Sequence, residues 1–231
     1  MPAKVRKVID GDTLLLADGR RLRLIGINAP ELGSRGRPDQ PEARRARQLL
    51  RQRLPQGATV WLQPGAAPRD NYGRALAHLF MRRDGGSVEA ALVSAGAALH
   101  VAIPPNLALT ECLHEIEQQA RRQGTGLWQH AQPLPVTSLD PKQGGFMRVK
   151  GRVVNVEESR HSWWFELDGP LVVRLDKRDL DHFEDFRPLG LLGQELIVRG
   201  WATAREQVET GRRPIVLPLR HPTMLELQSP G

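Results

Sequence analysis

Two carboxylates stand one residue apart near the start of the chain, in the stretch VIDGDT from Val8 to Thr13. An Asp-Gly-Asp step between strand-like runs can be a tight turn, because Gly tolerates positive φ and Asp side chains cap their own backbone. It can also be a site for a cation, and the hexapeptide alone leaves both readings open. Three further polar blocks follow in order: an arginine at position 23, NAPE at 28–31, and DNYGR at 70–74. An amide beside two carboxylates adds another oxygen donor, and guanidinium groups grip anions through paired N–H donors. A glutamate directly after Pro30 can handle water or simply begin a helix.

Short elements must position these residues. The runs KVRKVI, TLLLA and RRLRLIGI read as three strands, the first two meeting at Asp10-Gly11-Asp12 and the next two joined by an Asp18-Gly19 hairpin turn. After NAPE comes a polar loop from Leu32 to Gln40, with Arg35 and Arg37 read as solvated. A helix follows from about Pro41 to Leu54, with Ala43, Ala46, Leu49 and Leu50 inward and five arginines around its other faces. Strands are expected at Ala58–Leu62 and Arg74–Arg82, and helices at Ser87–Ala97 and at 107–123, the latter capped by Asn106 and closed by Gly124. The single cysteine, Cys112, shares helical spacing with Leu109, Leu113, Ile116 and Ala120 and is expected in the core. One cysteine excludes an intrachain disulfide and a cysteine-based zinc cluster.

The pattern changes near Pro133. Residues 132–145, QPLPVTSLDPKQGG, read as a linker rich in Pro, Gly and polar side chains. Beyond it, residues 146–231 carry five strand-like runs with one short helix after the third, which is the order of an OB-type barrel. Period-2 alternation in SWWFEL places Trp163 and Phe165 on one face and Trp164 on the other. The chain of 231 residues is 40% apolar and 26% charged, which suits one large or two small domains. No apolar run approaches the roughly 20 residues of a membrane helix, and no membrane partner is expected. Residues 1–135 hold 19 Lys and Arg against 12 Asp and Glu, whereas 136–231 hold 14 of each, so the whole excess of +7 falls in the first half. That points the first half toward a polyanion; in the second, SWWFEL could stack bases as aromatics of OB barrels do, but the zero net charge favours packing or docking of a partner.

With DGDT, Arg23, NAPE and DNYGR in register, and every element through Gly126-Leu127-Trp128 in order, the first ~130 residues resemble the thermonuclease, or staphylococcal-nuclease-like, family. The fold this implies is mainly β with helices: a staphylococcal-nuclease-type OB barrel over 1–131, followed by a second five-stranded OB-like barrel. The activity implied is metal-dependent hydrolysis of DNA, with RNA as a further substrate, leaving 3′-phosphate ends; the alternative is a silent nucleic-acid-binding module. Phosphodiester hydrolysis needs cationic groups at the phosphate oxygens, a group that handles water, and often a Lewis acid.

Through the resemblance, Asp12, the Asn28 side chain and the Ala29 carbonyl hold Ca²⁺, an ion that prefers oxygen ligands. Asp10 and Thr13 support them from behind. Arg23, Glu31 and Arg74 are the catalytic residues, the arginines on phosphate and the glutamate on the attacking water. Asn71 and Tyr72 bind substrate. Two departures stand out. Asn28 occupies a place where the family usually has Asp, and the segment LHVAIPPN lacks the tyrosines of the family's type member, leaving Tyr72 as the chain's one tyrosine. A monomer is expected, exported to the periplasm or medium, with the cytoplasm as the alternative.

Overall fold

The computed structural model describes residues 1–33, 36, 38–83, 85–207 and 211–228. Arg35 and Arg37, expected on a solvated loop, lie outside the described residues. Backbone contacts divide the chain into two units, Met1–Ala131 and Gln132–Gly231.

In the first unit, β1 (Pro2–Val8), β2 (Thr13–Leu16) and β3 (Arg21–Leu24) form an antiparallel meander. A short strand β4 (Ile27–Asn28), helix α1 (Ala43–Arg53), and strands β5 (Thr59–Arg69) and β6 (Ala75–Arg82) follow. The barrel closes because β1 pairs with β5, β5 with β6, and β6 runs parallel to β3. That circuit is OB topology. Alternation sets the core: Leu14, Leu16, Leu22, Leu24, Val60 and Leu79 point inward and are fully or almost fully buried. Each such side chain contributes about 1.5–3 kcal/mol relative to exposure.

The helices pack against this barrel. Helix α1 turns Ala43, Ala46 and Leu50 inward. A hairpin strand β7 (Gly85–Ser87) leads into α2 (Val88–Ser94), whose first turn is capped by the Ser87 hydroxyl accepting from the Ala90 N–H. Strand β8 (Leu99–His100) pairs with β4, setting Asn28 opposite Leu99. Helix α3 (Thr110–Arg122) closes the unit. Two expectations fail at this helix. Asn106 does not cap it; its amide instead bonds the N–H and C=O of Ala67, 39 residues away. Cys112 is exposed, because the inward face carries Thr110, Leu113, Glu117 and Ala120. Glu117 claims that face by accepting the His100 N–H at 2.6 Å.

The second unit is a closed barrel of its own. Strand β9 (Leu134–Pro135) precedes β10 (Gly145–Glu158), β11 (Ser162–Leu167), β12 (Leu171–Asp176), a 3₁₀ turn at Lys177–His182, β13 (Glu195–Ala204) and β14 (Ile215–Leu219). β10 meets β11 and β13, β11 meets β12, β12 runs parallel to β14, and β14 meets β13, again an OB circuit. A last strand, β15 (Leu225–Leu227), flanks β13. The segment 132–145, expected as a linker, is partly built into this barrel. Leu134 and Pro135 pair with Val149 and Lys150, and Val136 and Leu139 are buried. Close packing explains it: a Cβ on Gly151 would lie 2.6 Å from the Val136 side chain, so the glycine makes room for it.

Candidate active site

The β1–β2 turn, strand β3 and the segment after β4 converge on one point of the first barrel. Strand β3 faces Leu22 and Leu24 into the core and therefore Arg23 to the other side. The arginine is nonetheless buried. Its Nη1 donates to the carbonyls of Leu24 at 2.7 Å and Ile27 at 2.8 Å. Its Nη2 donates to Asn28 Oδ1 at 3.0 Å and stands 3.0 Å from Asp12 Oδ2. The guanidinium thus ties β3, the turn and the β4 segment together.

Asp12 is only 4% exposed. Its Oδ2 accepts the Ala29 N–H at 2.8 Å, and its Oδ1 accepts the Thr13 hydroxyl at 3.0 Å. Asp10 shapes the turn by accepting the Asp12 N–H at 3.0 Å. Burial pushes the Asp12 carboxyl up to about 6, with Asp10 adding to the rise, while Arg23, the Ala29 N–H and Thr13 pull the other way. The turn's glycine is explained by space rather than by φ. A Cβ on Gly11 would lie 2.5 Å from the Ala29 Cβ and 2.8 Å from the Ala46 Cβ, so α1 presses directly on the site's floor.

Glu31 is exposed on the segment leaving β4. Its N–H donates to Gln40 Oε1 at 2.8 Å and its carbonyl accepts the Gln40 N–H at 3.0 Å. Gln40 therefore clamps both ends of the intervening loop, a role sequence reading did not assign. Arg74 stands one residue before β6. The parallel β3–β6 register sets Arg23 opposite Leu76, two residues beyond Arg74. Asp70 aims Arg74: its Oδ2 accepts from Nε at 2.7 Å, and its Oδ1 accepts the N–H groups of Tyr72 and Arg74. Partial burial works against ionising Asp70, yet the Arg74 hydrogen bonds hold its carboxyl below the ordinary value. Sequence reading assigns Asp70 no role; an Asx turn ending in Arg is the signal for one. Asn71 is exposed, and Tyr72 is 86% exposed with the Arg74 guanidinium 5.5 Å from its ring centroid.

The structure thus joins Asp10, Asp12, Thr13, Arg23, Asn28 and Ala29 through direct contacts. It sets Arg74, Asn71 and Tyr72 on one turn and Glu31 on a clamped loop. The donors fit a hard cation in kind, being oxygens from carboxylate, amide and carbonyl. Asp12 Oδ2 and Asn28 Oδ1 already converge on one positive nitrogen. Among the described residues, no three His, Cys, Asp or Glu side chains are grouped as metal ligands, so the amide of Asn28 is needed to complete such a set.

An OB barrel with a buried carboxylate and guanidinium beside oxygen donors has the groups that a phosphate-handling enzyme needs, though the fold alone assigns none. Comparison with known proteins agrees. The family described as "Staphylococcal nuclease homologue" matches residues 21–130. The chain is 30% identical over 128 residues to a thermonuclease of Staphylococcus intermedius, covering 54% of this chain and 74% of that protein. It is 33% identical over 135 residues to an uncharacterized endonuclease of Escherichia coli, covering 57% of this chain and 80% of that protein. The chain belongs to the staphylococcal nuclease family. It is a nuclease, a phosphodiester hydrolase acting on nucleic acid, in a metal-dependent family. No helix among the described residues is long and apolar enough to cross a membrane.

Proposed function

We propose that the chain is a Ca²⁺-dependent endonuclease that cuts single-stranded or unwound DNA, and RNA as a second substrate, leaving 3′-phosphate ends. The observation that carries this reading is the pairing of Asp12 Oδ2 and Asn28 Oδ1 around one guanidinium nitrogen of Arg23. Asp12, Asn28 and the Ala29 carbonyl would hold the ion, which when bound supplies Lewis-acid stabilisation to a phosphate oxygen. Glu31 orders a water and takes its proton as the water oxygen attacks phosphorus. Arg23 and Arg74 stabilise the charge that builds on the equatorial oxygens. The bond to the 5′-oxygen then breaks and the phosphate stays on the 3′ side. Exposed Tyr72 and Asn71 contact the strand beside the scissile phosphate. A monomer exported to the periplasm or medium fits the reading.

A silent binding module is the competing reading, and Asn28 is the feature that favours it, since an amide carries no formal charge for the ion. Labelled single-stranded DNA incubated with Ca²⁺ and with chelator tests the two. Cutting only with Ca²⁺, to ends that a polymerase extends only after phosphatase treatment, is the expected result. Intact DNA under both conditions would leave binding as the function.

A further inference from the structure

The second unit lies outside the matched family segment, which ends at residue 130, and its equal numbers of acidic and basic residues suggest no polyanion partner. Locally the picture is different. A groove of about 430 Å³ opens on the outer face of β11 and β12, lined by Trp164 and Val172 from the strands, Ser159 from the β10–β11 loop, and Arg205, Arg212 and Arg213 from the segment joining β13 to β14. In an OB barrel this strand pair and these two loops are where ligands can be held, although the fold alone assigns none.

The side chains are arranged for a ligand that is both aromatic and anionic. Cross-strand register sets Glu157, Trp164 and Arg174 in one row across the outer face. The Trp164 indole N–H donates to Ser159 Oγ at 3.1 Å, which fixes the ring plane. Two guanidinium groups approach that ring, Arg205 at 5.6 Å and Arg174 at 6.0 Å from its centroid. Phe165, the next residue, is buried in the core, so the strand cannot turn the indole inward. Arg212 pairs with Glu157 at 2.7 Å, while Arg213 Nε stands 3.7 Å from Glu166 and is buried with no hydrogen-bond acceptor among the described residues. Three arginines against two glutamates line the groove, and Arg174 joins them from beside Trp164.

We propose that this groove binds a single-stranded segment of nucleic acid, with a base stacked on the Trp164–arginine layer and phosphates on Arg205 and Arg213. An acidic peptide would gain the arginines, but it would face Glu157 and Glu166 without using the indole. Nucleic acid uses both, because every base has a π-face and every linkage a charge. The inference rests on nucleic acid as this chain's substrate and on nothing about the metal or the position of cutting.

The test uses the full chain in chelator and a fluorescein-labelled 15-mer of oligothymidylate, checked on a gel to be intact. Binding is read by anisotropy as salt is raised. Trp164→Ala should weaken binding by about 5-fold or more, the lower end for one lost base stack, whereas Trp164→Phe, which keeps a ring, should stay within a few-fold of the parent. Arg205→Gln should lower the slope of log affinity against log salt by about 0.7, the value for one phosphate contact on a single strand. Cleavage of a dinucleotide in Ca²⁺, too short to reach a second site, should be the same in all three variants. Parental affinity and slope in Trp164→Ala and Arg205→Gln would overturn the proposal, as would displacement of the 15-mer by polyglutamate at equal charge concentration. If Trp164→Ala does not fold, the salt slope of Arg205→Gln carries the decision. Loss of dinucleotide cleavage in the parent would count against the nuclease reading and not against the groove.

Discussion

Asp12→Asn should stabilise the first unit increasingly as pH rises, while destroying its activity. Asp12 is buried, and its carboxyl titrates at about 6 rather than 3.8, mainly because burial disfavours the charge. The folded chain therefore holds the proton more tightly than the unfolded chain does. Below pH 3.8 the carboxyl is protonated in both states and costs nothing. From there to about pH 6 the unfolded form ionises first, so stability falls, and above that the loss is constant. A gap of about two pH units at about 1.4 kcal/mol each amounts to about 3 kcal/mol.

Asparagine imitates the protonated acid, so the stability difference between variant and parent should grow by about 3 kcal/mol between pH 3.5 and 7.5. Replacing Oδ2 by an amide nitrogen also spoils the bond from the Ala29 N–H and removes the charge facing Arg23. Both contacts strengthen as Asp12 ionises and both already pull its carboxyl down toward about 6, so their pH-dependent part is contained in the figure of about 3 kcal/mol and only a constant offset remains. Two units make global unfolding a poor probe. Hydrogen exchange at core amides of β2 and β3, measured in chelator, reports the first unit by itself. A difference that stays constant across the range would refute the reasoning, because it would mean that Asp12 ionises as easily in the folded barrel as in water.

Four other outcomes are expected. Arg23→Ala, Glu31→Ala and Arg74→Ala should each lower kcat on single-stranded DNA by about 10²-fold or more, the scale for a lost charge-stabilising or proton-transfer group, and parental rates in all three would void the assigned site. Asn28→Asp should tighten Ca²⁺ by about tenfold or more, since a unit charge at 4 Å and an effective dielectric near 20 is worth about 4 kcal/mol before desolvation; calorimetric titration with equal or weaker affinity would remove Asn28 from the ligands. Gly11→Ala should cost about 1–3 kcal/mol by forcing the turn away from Ala29 and Ala46, read as a fall in the denaturant midpoint of the first unit's core amides. A chain ending at Ala131 should cut a dinucleotide at the parental rate but bind a 15-mer with a shallower salt slope, because the first unit has its own closed barrel and core whereas the groove at Trp164 is gone.

How much of this was legible in the sequence depended on the range of the interaction. Strand alternation and the Asp18-Gly19 turn are local, so the strands of the first unit and the barrel order of the second could be read from pattern, whereas closure of the first barrel and the placing of DGDT, NAPE and DNYGR came with the family resemblance. Contacts between distant segments could not be read. Gly11 looked like a turn former, but its reason is Ala46 on α1, 35 positions away, pressing on the floor of the turn. Asn106 looked like a cap, but Ala67 outbids the helix for its amide. Cys112 sat on a plausible apolar stripe until Glu117 and His100 fixed the rotation of α3. The aromatics of SWWFEL were legible as a base-stacking candidate, but the arginines beside Trp164 were not: summing charge over the whole second unit averaged them against its acids.

Asn28 becomes intelligible when the metal-free state is considered. Asp12 is already costly to ionise, and Asp10 next to it makes the cost larger. A third carboxylate at position 28 would press on the same Arg23 nitrogen that now satisfies both Asp12 and Asn28. One guanidinium cannot neutralise two buried acids, so such a site would depend on its cation to stay ionised and would compete with protons for it below about pH 6. On the proposed reading, the amide spares the site one like charge beside Asp12 and gives up part of the attraction for an ion. Arg23 then has two tasks, holding Asp12 ionised without metal and gripping phosphate with it. Two carbonyls, Asn28 and Asp12 occupy Nη1 and Nη2, which leaves Nε–H as the donor without a hydrogen-bond partner among the described residues. If Asp12 and Asn28 hold the proposed ion, they share their oxygens between it and Arg23 Nη2, so metal and phosphate binding should depend on each other through this one side chain.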